Sequence, residues 1–412
     1  MSIQDKIHQA LVENQERALQ WFRDQSSGLS WTVYSSFDIR NSGYKVAPVD
    51  ANIFPAGFNN ICGQDFDHAV ELMGSFLKQH YSGAKCIALI TEEHTNNAFY
   101  WQNVWTLSEI IRNAGKEVRV ALPKAFEGPI EVQTSGGQKV EVFPAERKES
   151  GLSLTGFQPD LVISNNDFSE EYGEWISGLD LAFTPPHALG WHRRKKSSFF
   201  TQYNQLATEF SEAIGLDPFV FRVETKIFDQ FDIGDESNRQ QLAGSVDQFI
   251  ADLQPEFDQR GIDSKPFVFV KNNSGTYGLG ILQADGGDEV LSWNNKSRKK
   301  MKASKGGKGI QQVIIQEGIP TDMTGNGETS EPVIYMIGSE PAGGFLRTHS
   351  AKGPTENLNS PGAIYKRLCL SDLTIAWEGK PLESVYGWVA RMGALAIAKE
   401  AAAAGVDFNG YS

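Results

Sequence analysis

The sequence predicts an α/β protein built from two successive architectures, and three observations predict it. Up to about residue 185, short apolar, β-branched runs alternate with segments of helical apolar spacing, the pattern of a mostly parallel, open sheet. From about residue 219 to the end, strand pairs and long helices replace that alternation. Between them lies a basic, aromatic connector. The expected organisation is therefore an N-terminal open α/β domain over 1–185, a connector over 186–218 and an α+β domain over 219–412.

The elements follow in order. An amphipathic helix starts at the polar N-terminus and runs to about Arg23. Trp31 to Phe37 reads as a strand. Asp67 to Gln79 carries Val70, Met73, Phe76 and Leu77 at helical spacing. Lys85 to Ile90 is a buried strand, Trp101 to Ala114 a helix stopped by Gly115, and Glu117 to Leu122 and Asp160 to Ser164 are strands. The connector becomes helical near Phe200. Beyond it, Gln240 to Phe257 is a helix, 266–282 a hairpin around a glycine-rich loop, and Gln312 to Gln316 a strand. Val333 to Ile337 and Ala342 to Leu346 form an antiparallel pair, and Tyr386 to Ala404 an alanine-rich helix ended by Gly405.

Bulk properties narrow the function. The 412 residues carry a formal net charge of −13, which argues against nucleic acid as the main partner. No apolar stretch approaches the roughly 18 residues of a membrane span, and no apolar signal core is present at the N-terminus. Cys62, Cys86 and Cys369 are far apart in sequence and are expected to make no metal or redox pair, which points to a reducing, cytoplasmic setting. Two basic clusters stand out, His192–Lys196 and Lys296–Lys308. Each is either a solvated face or a site that gathers a small polyanion.

The chemistry concentrates after residue 219. Pro266-Phe-Val-Phe-Val-Lys271 is a strand ending on a lysine, followed by Gly275-Thr276-Tyr277-Gly278-Leu-Gly280. Glycines there let backbone N–H groups approach a phosphate, and Lys271 can reach the same anion. Neither the dinucleotide nor the P-loop spacing occurs, and a plain hairpin with a solvated lysine also fits. Gln316-Glu317-Gly-Ile319 leaves a buried strand before a proline, an exposed strand end suited to an adenine edge. Lys226 lies upstream, Arg347 closes a later strand, and Asn357-Leu-Asn359 precedes a glycine turn.

That order resembles the ATP-grasp superfamily of carboxylate–amine ligases. The resemblance implies that Lys226, Lys271 and the 275–280 loop contact ATP phosphates, that Gln316, Glu317 and Ile319 lie at adenine, and that Arg347 meets phosphate. The N-terminal half adds Lys45-Val-Ala-Pro-Val-Asp50-Ala-Asn52-Ile-Phe-Pro-Ala-Gly-Phe-Asn59-Asn60, then Glu93–Asn97, Asn165-Asn166-Asp167 and Gly190-Trp-His-Arg193-Arg-Lys-Lys-Ser197. With these segments the whole chain is similar to a proteobacterial family of glutamate–cysteine ligases that carry an ATP-grasp domain. Asp50 suits an α-ammonium and Arg193 or a neighbouring lysine an α-carboxylate, while Asn52, Asn59, Asn60, Asn165 and Asn166 suit neutral hydrogen bonds. Each asparagine segment also reads as a simple turn.

The resemblance implies ATP-dependent ligation of the γ-carboxylate of L-glutamate to L-cysteine through an acyl phosphate, with Mg²⁺. Lys271 and Arg347 would act on the transferred phosphoryl group. Superfamily members hold Mg²⁺ with an acidic residue and a following Glu-x-Asn. Here Asp407 and Asn409 alternate onto one strand face without a Glu-x-Asn after them, so Asn357, Asn359 and Glu331 join the candidates. The alternatives are another ligase of this type, such as a glutathione synthetase, or a non-catalytic nucleotide-binding regulator. The expected partners are small molecules, and a homo-oligomer stays open.

Overall fold

The computed structural model describes the chain apart from Met1, 94–95, 275–279, 303–309, 323, 326, 370–373, 378–379, 384, 407 and 409–412. Three main sheets organise it. The first is a six-stranded sheet in the order Ala182–Thr184, Leu161–Ser164, Cys86–Ile90, Glu117–Leu122, Lys139–Pro144 and Ile130–Gln133. Its first five strands pair in parallel and the edge strand is antiparallel. This is the expected open α/β sheet. Helices Phe66–His80 and Ala98–Asn113 cover it, burying Met73, Leu77, Trp101 and Leu107 against Ile87, Leu89 and Val120.

The second sheet is antiparallel, in the order Ile364–Leu368, Glu340–His349, Glu328–Ile337, Tyr34–Asn41 and Val46–Asn52, with Thr324–Gly325 added to Glu328–Ile337. It joins strands from both sides of the expected boundary at 219, so the large sheet is shared between the two segments that the sequence assigns to separate domains. Val46–Asn52, part of a segment that also reads as a simple turn in the sequence, is thus a strand. One face carries Phe37, Ile39, Ile334 and Met336 into the core with helix Val385–Ala403. That helix comes so close that a Cβ at Gly393 would lie 2.5 Å from the Phe37 ring. A Gly393 side chain would therefore push the helix off the sheet.

The third sheet has four antiparallel strands in the order Thr225–Phe228, Val313–Glu317, Val268–Asn272 and Ile281–Ala284. Val268, Val270, Ala284, Val313 and Ile315 pack on Leu242, Val246 and Phe249 of helix Glu236–Gln259. Opposite residues on neighbouring strands share a face. Lys271 pairs with Ile314 and Ile281, and Phe269 with Gln316, so these line the face turned away from that helix.

Three details differ from expectation. The N-terminal helix breaks at Asn14 into Ile3–Glu13 and Gln15–Ser26. The start of the basic segment expected as a loop is a helix, Asn295–Lys302. Cys62 and Cys369, 307 residues apart, are joined by a disulfide with Cα atoms 5.0 Å apart, which corrects the expectation of no redox pair. Sequence distance carries no information about such a contact. No helix among the described residues is long and apolar enough to cross a membrane.

Candidate active site

The charged face of the large sheet and the Lys271 face of the small sheet enclose one pocket. It is lined by Asp38, Arg40, Asp50 and Glu331 from the first, Phe269, Lys271 and Ile281 from the second, and Asn357 and Asn359 from a connecting loop. Strand alternation explains the placement. Asp38 and Arg40 are two apart on one strand, Asp50 lies directly opposite Asp38, and Glu331 lies opposite Arg347. The same strand sends Phe37 and Ile39 to the core on its other face.

The charges form a connected lattice. Arg347 donates to Asp38 at 2.7 Å and to Glu331 at 2.8 Å, and Arg40 donates to Glu331 at 2.8 Å. Arg40 also donates to the backbone carbonyls of Ile319, Pro354 and Glu356, which fixes the strand exit and the 351–359 loop to the sheet. Lys196 pairs with Asp50 at 2.5 Å. Lys271 crosses between the sheets and donates to the Val49 carbonyl at 2.9 Å.

Burial sets the protonation tendencies. It pushes the Asp38 carboxyl up, more than Arg347 pulls it down. Burial acts the same way on Glu331 and Asp50, but Arg40 and Arg347 in one case and Lys196 and Lys271 in the other overcome it and hold both below the usual range. Burial lowers the Lys271 ammonium to about 8, with Asp50 resisting. Two buried atoms in this region, Gln316 Oε1 and Arg347 Nε, have no protein partner.

The glycine-loop shoulder is tied to the basic cluster. Asn273 accepts from Lys196 N through its carbonyl at 2.7 Å and from Ser197 N through Oδ1 at 2.9 Å. Asn273 thereby stands over the first turn of helix Lys196–Ile214. Gly280 has φ +63°, and a Cβ there would lie 2.7 Å from Ile310, so only glycine fits.

The expected site residues divide. Lys271, Gln316, Asp50, Asn357 and Asn359 come together around the cleft, with Gln316 beside Phe269 in register. Gly275, Thr276, Tyr277, Gly278, Asp407 and Asn409 lie outside the described residues. Arg347 is near the cleft but is held by Asp38 and Glu331, not left open for phosphate. Lys226 is exposed and in register with Ile315, hence on the face opposite Lys271. The Glu317 carboxylate is taken by Lys45 at 2.5 Å and by the Glu224 N–H at 3.0 Å, and its own N–H donates to the Glu224 carbonyl at 2.9 Å. Ile319 is fully buried in the core.

Asn165 and Asn166 are also buried, and they pin loops. Asn165 donates to the Pro55 carbonyl and accepts from Asn103, and Asn166 donates to the Thr91 carbonyl. Asn59 donates to the side chain of Asn60 within a short turn, and Asn52 sits opposite Ser36 in the sheet. Arg193 does not meet Asp50. It is exposed and lines a different groove with Leu189, Ser198, Gln202 and Val406, while neighbouring Arg194 is buried against Glu400. Arg193→Ala and Lys226→Ala are each expected to change the KM for glutamate and ATP by about twofold or less, as for surface substitutions. Steady-state titrations check this.

Sequence reading missed Asp38, Arg40 and Lys45, and named Lys196 only as a basic neighbour of Arg193. Its one available signal was the alternation Phe37-Asp38-Ile39-Arg40, two charges interleaved with two core residues.

The glutamate-cysteine ligase (GshA) family model matches residues 8–401. A solved structure of a protein assigned as a gamma-glutamylcysteine synthetase, from Methylobacillus flagellatus KT, is 32% identical, with 97% of this chain and 96% of that chain covered and a TM-score of 0.84. A glutathione synthetase-like effector from Globodera pallida is 12% identical over 88% of this chain and 86% of that one, with a TM-score of 0.39. D-alanyl-alanine synthetase A from Vibrio cholerae is 12% identical over 76% and 79%, with a TM-score of 0.32. The last two are too distant to carry an argument. No curated protein matches.

Proposed function

The chain belongs to the glutamate–cysteine ligase family, and on that premise we propose that the cleft between its two antiparallel sheets is where ATP and L-glutamate meet. The family reaction joins the γ-carboxylate of glutamate to the amino group of cysteine at the expense of ATP. The observation that carries the assignment of the cleft is the pocket itself. A buried lysine on one sheet faces a lattice of carboxylates and guanidinium groups on the other.

In this reading the small sheet and helix Glu236–Gln259 form one jaw of an ATP-grasp unit. The large sheet forms the other, with strands from both ends of the chain. Lys271 directs its ammonium at the phosphates, and Gln316 offers its unpartnered Oε1 to a donor on the base. The Arg40–Glu331–Arg347–Asp38 lattice holds the opposing wall rigid, so little reorganisation is needed as charge moves from the γ-phosphoryl group to the glutamyl carboxylate. Closing the two jaws excludes water, which protects an acyl phosphate until the cysteine amine attacks.

Glu331, Asn357 and Asn359 offer the hard oxygen donors that Mg²⁺ prefers and would hold it. Bound there, the ion would neutralise phosphate charge.

Because Lys271 binds phosphate only when charged and its pKa is about 8, the KM for ATP is expected to rise as pH climbs through 8. An ATP titration from pH 7 to 9 checks this. The function itself is tested by phosphate release. Turnover should require glutamate and cysteine together. Turnover with a γ-glutamyl dipeptide and glycine instead would overturn it.

A further inference from the structure

We propose that Asp38, with Asp50 across the strand pair, receives the α-ammonium of glutamate and so makes the site selective for an α-amino acid. The inference rests on the cleft holding glutamate, and it adds a residue that the sequence did not single out. Asp38 and Asp50 are direct cross-strand partners on the same sheet face, and both line the pocket. Two carboxylates placed so repel each other, and a sheet keeps such a pair only where something offsets it. The protein offsets it from behind. Lys196 holds Asp50 at 2.5 Å, and Arg347 holds Asp38 Oδ2 at 2.7 Å.

Towards the cleft, Asp38 is less well served. Its Oδ1 has a contact to Arg347 at 3.4 Å, close to the limit of a hydrogen bond. A carboxylate has about four acceptor positions, so Asp38 keeps capacity for a donor arriving in the cleft. Burial leaves its carboxyl above the usual range, whereas the two arginines that grip Glu331 overcome burial and hold it below that range. A compact group with three N–H donors and one positive charge meets both deficits. On this reading the nucleotide belongs on the Lys271 side and the amino-acid head on the Asp38 side.

The test compares L-glutamate with glutarate, which has both carboxylates but no amino group, at saturating ATP and cysteine. Wild-type enzyme should prefer glutamate in kcat/KM by about 10- to 100-fold, the worth of one charge-assisted contact. Asp38→Asn keeps the shape and should bring the preference to within a few-fold of unity, with the KM for ATP changed by less than about twofold. Asp38→Glu keeps the charge and should retain the preference even where KM rises. It also serves should the asparagine variant fold poorly. Undiminished preference in Asp38→Asn, equal loss in both variants, or a shift confined to the Mg²⁺ requirement would overturn the proposal. Lys271→Met run alongside separates the two levels. Weakened ATP binding with unchanged discrimination in Asp38→Asn removes the ammonium site and leaves the cleft. Unchanged ATP binding in Lys271→Met removes the cleft reading itself.

Discussion

Lys271→Met is expected to raise the KM for ATP by about 10- to 100-fold, the range of a lost charge-assisted contact, while the ligand-free protein becomes no less stable at pH 7. The two halves of that result have one cause. Lys271 is only 6% exposed, and burial lowers its pKa to about 8 from an unfolded value near 10.5. The unfolded chain therefore binds more protons between those values, so stability rises with pH across that window. Below it, the buried charge costs about 3 kcal/mol, and methionine removes that cost. A site lysine held at a loss in the free protein is what a phosphate-binding role predicts. A surface lysine would show neither effect. Thermal melts at pH 7 with ATP titrations of the same variant make the comparison.

Arg347→Met is expected to destabilise the protein by about 3–5 kcal/mol, because it strands buried Asp38 and takes one of its two arginines from buried Glu331. The loss should shrink when Asp38→Asn is added, since the second change removes the stranded charge. Urea denaturation of the two single variants and the double variant measures this. If Arg347 served only as a phosphate ligand, the denaturation midpoint would stay put and the KM for ATP alone would move. The sequence resemblance implied that simpler role. The structure gives Arg347 a place in the wall, with Nε alone lacking a protein partner.

Much of this was legible locally. Lys271 at the end of an apolar run and the strand leading to Gln316 depend on neighbours in sequence, and the structure has both strands where periodicity puts them. The large sheet was not legible. Its central pairing joins Tyr34–Asn41 to Glu328–Ile337, nearly 300 residues apart, and no local pattern encodes that partner. The same gap hid the second half of the site. Asp38 and Arg40 look like two charges in a strand until Glu331 and Arg347 are laid beside them. Arg193 and Lys226 lie away from the cleft for the opposite reason. Each sits in a conspicuous segment, but one residue of register decides whether a strand side chain enters the cleft, and Lys226 is on the wrong side of that alternation. Within the basic cluster it is Lys196, three positions from Arg193, that meets Asp50.

The central claim is that the cleft between the two antiparallel sheets holds the nucleotide. Photolabelling with 8-azido-ATP followed by peptide mapping tests it most directly. Label that ATP competes away is expected on peptides containing Thr225–Phe228, Val268–Asn272 or Val313–Ile319. ATP-protected label on the peptides that form the other groove, around Leu189–Gln202 and Glu400–Val406, would contradict it.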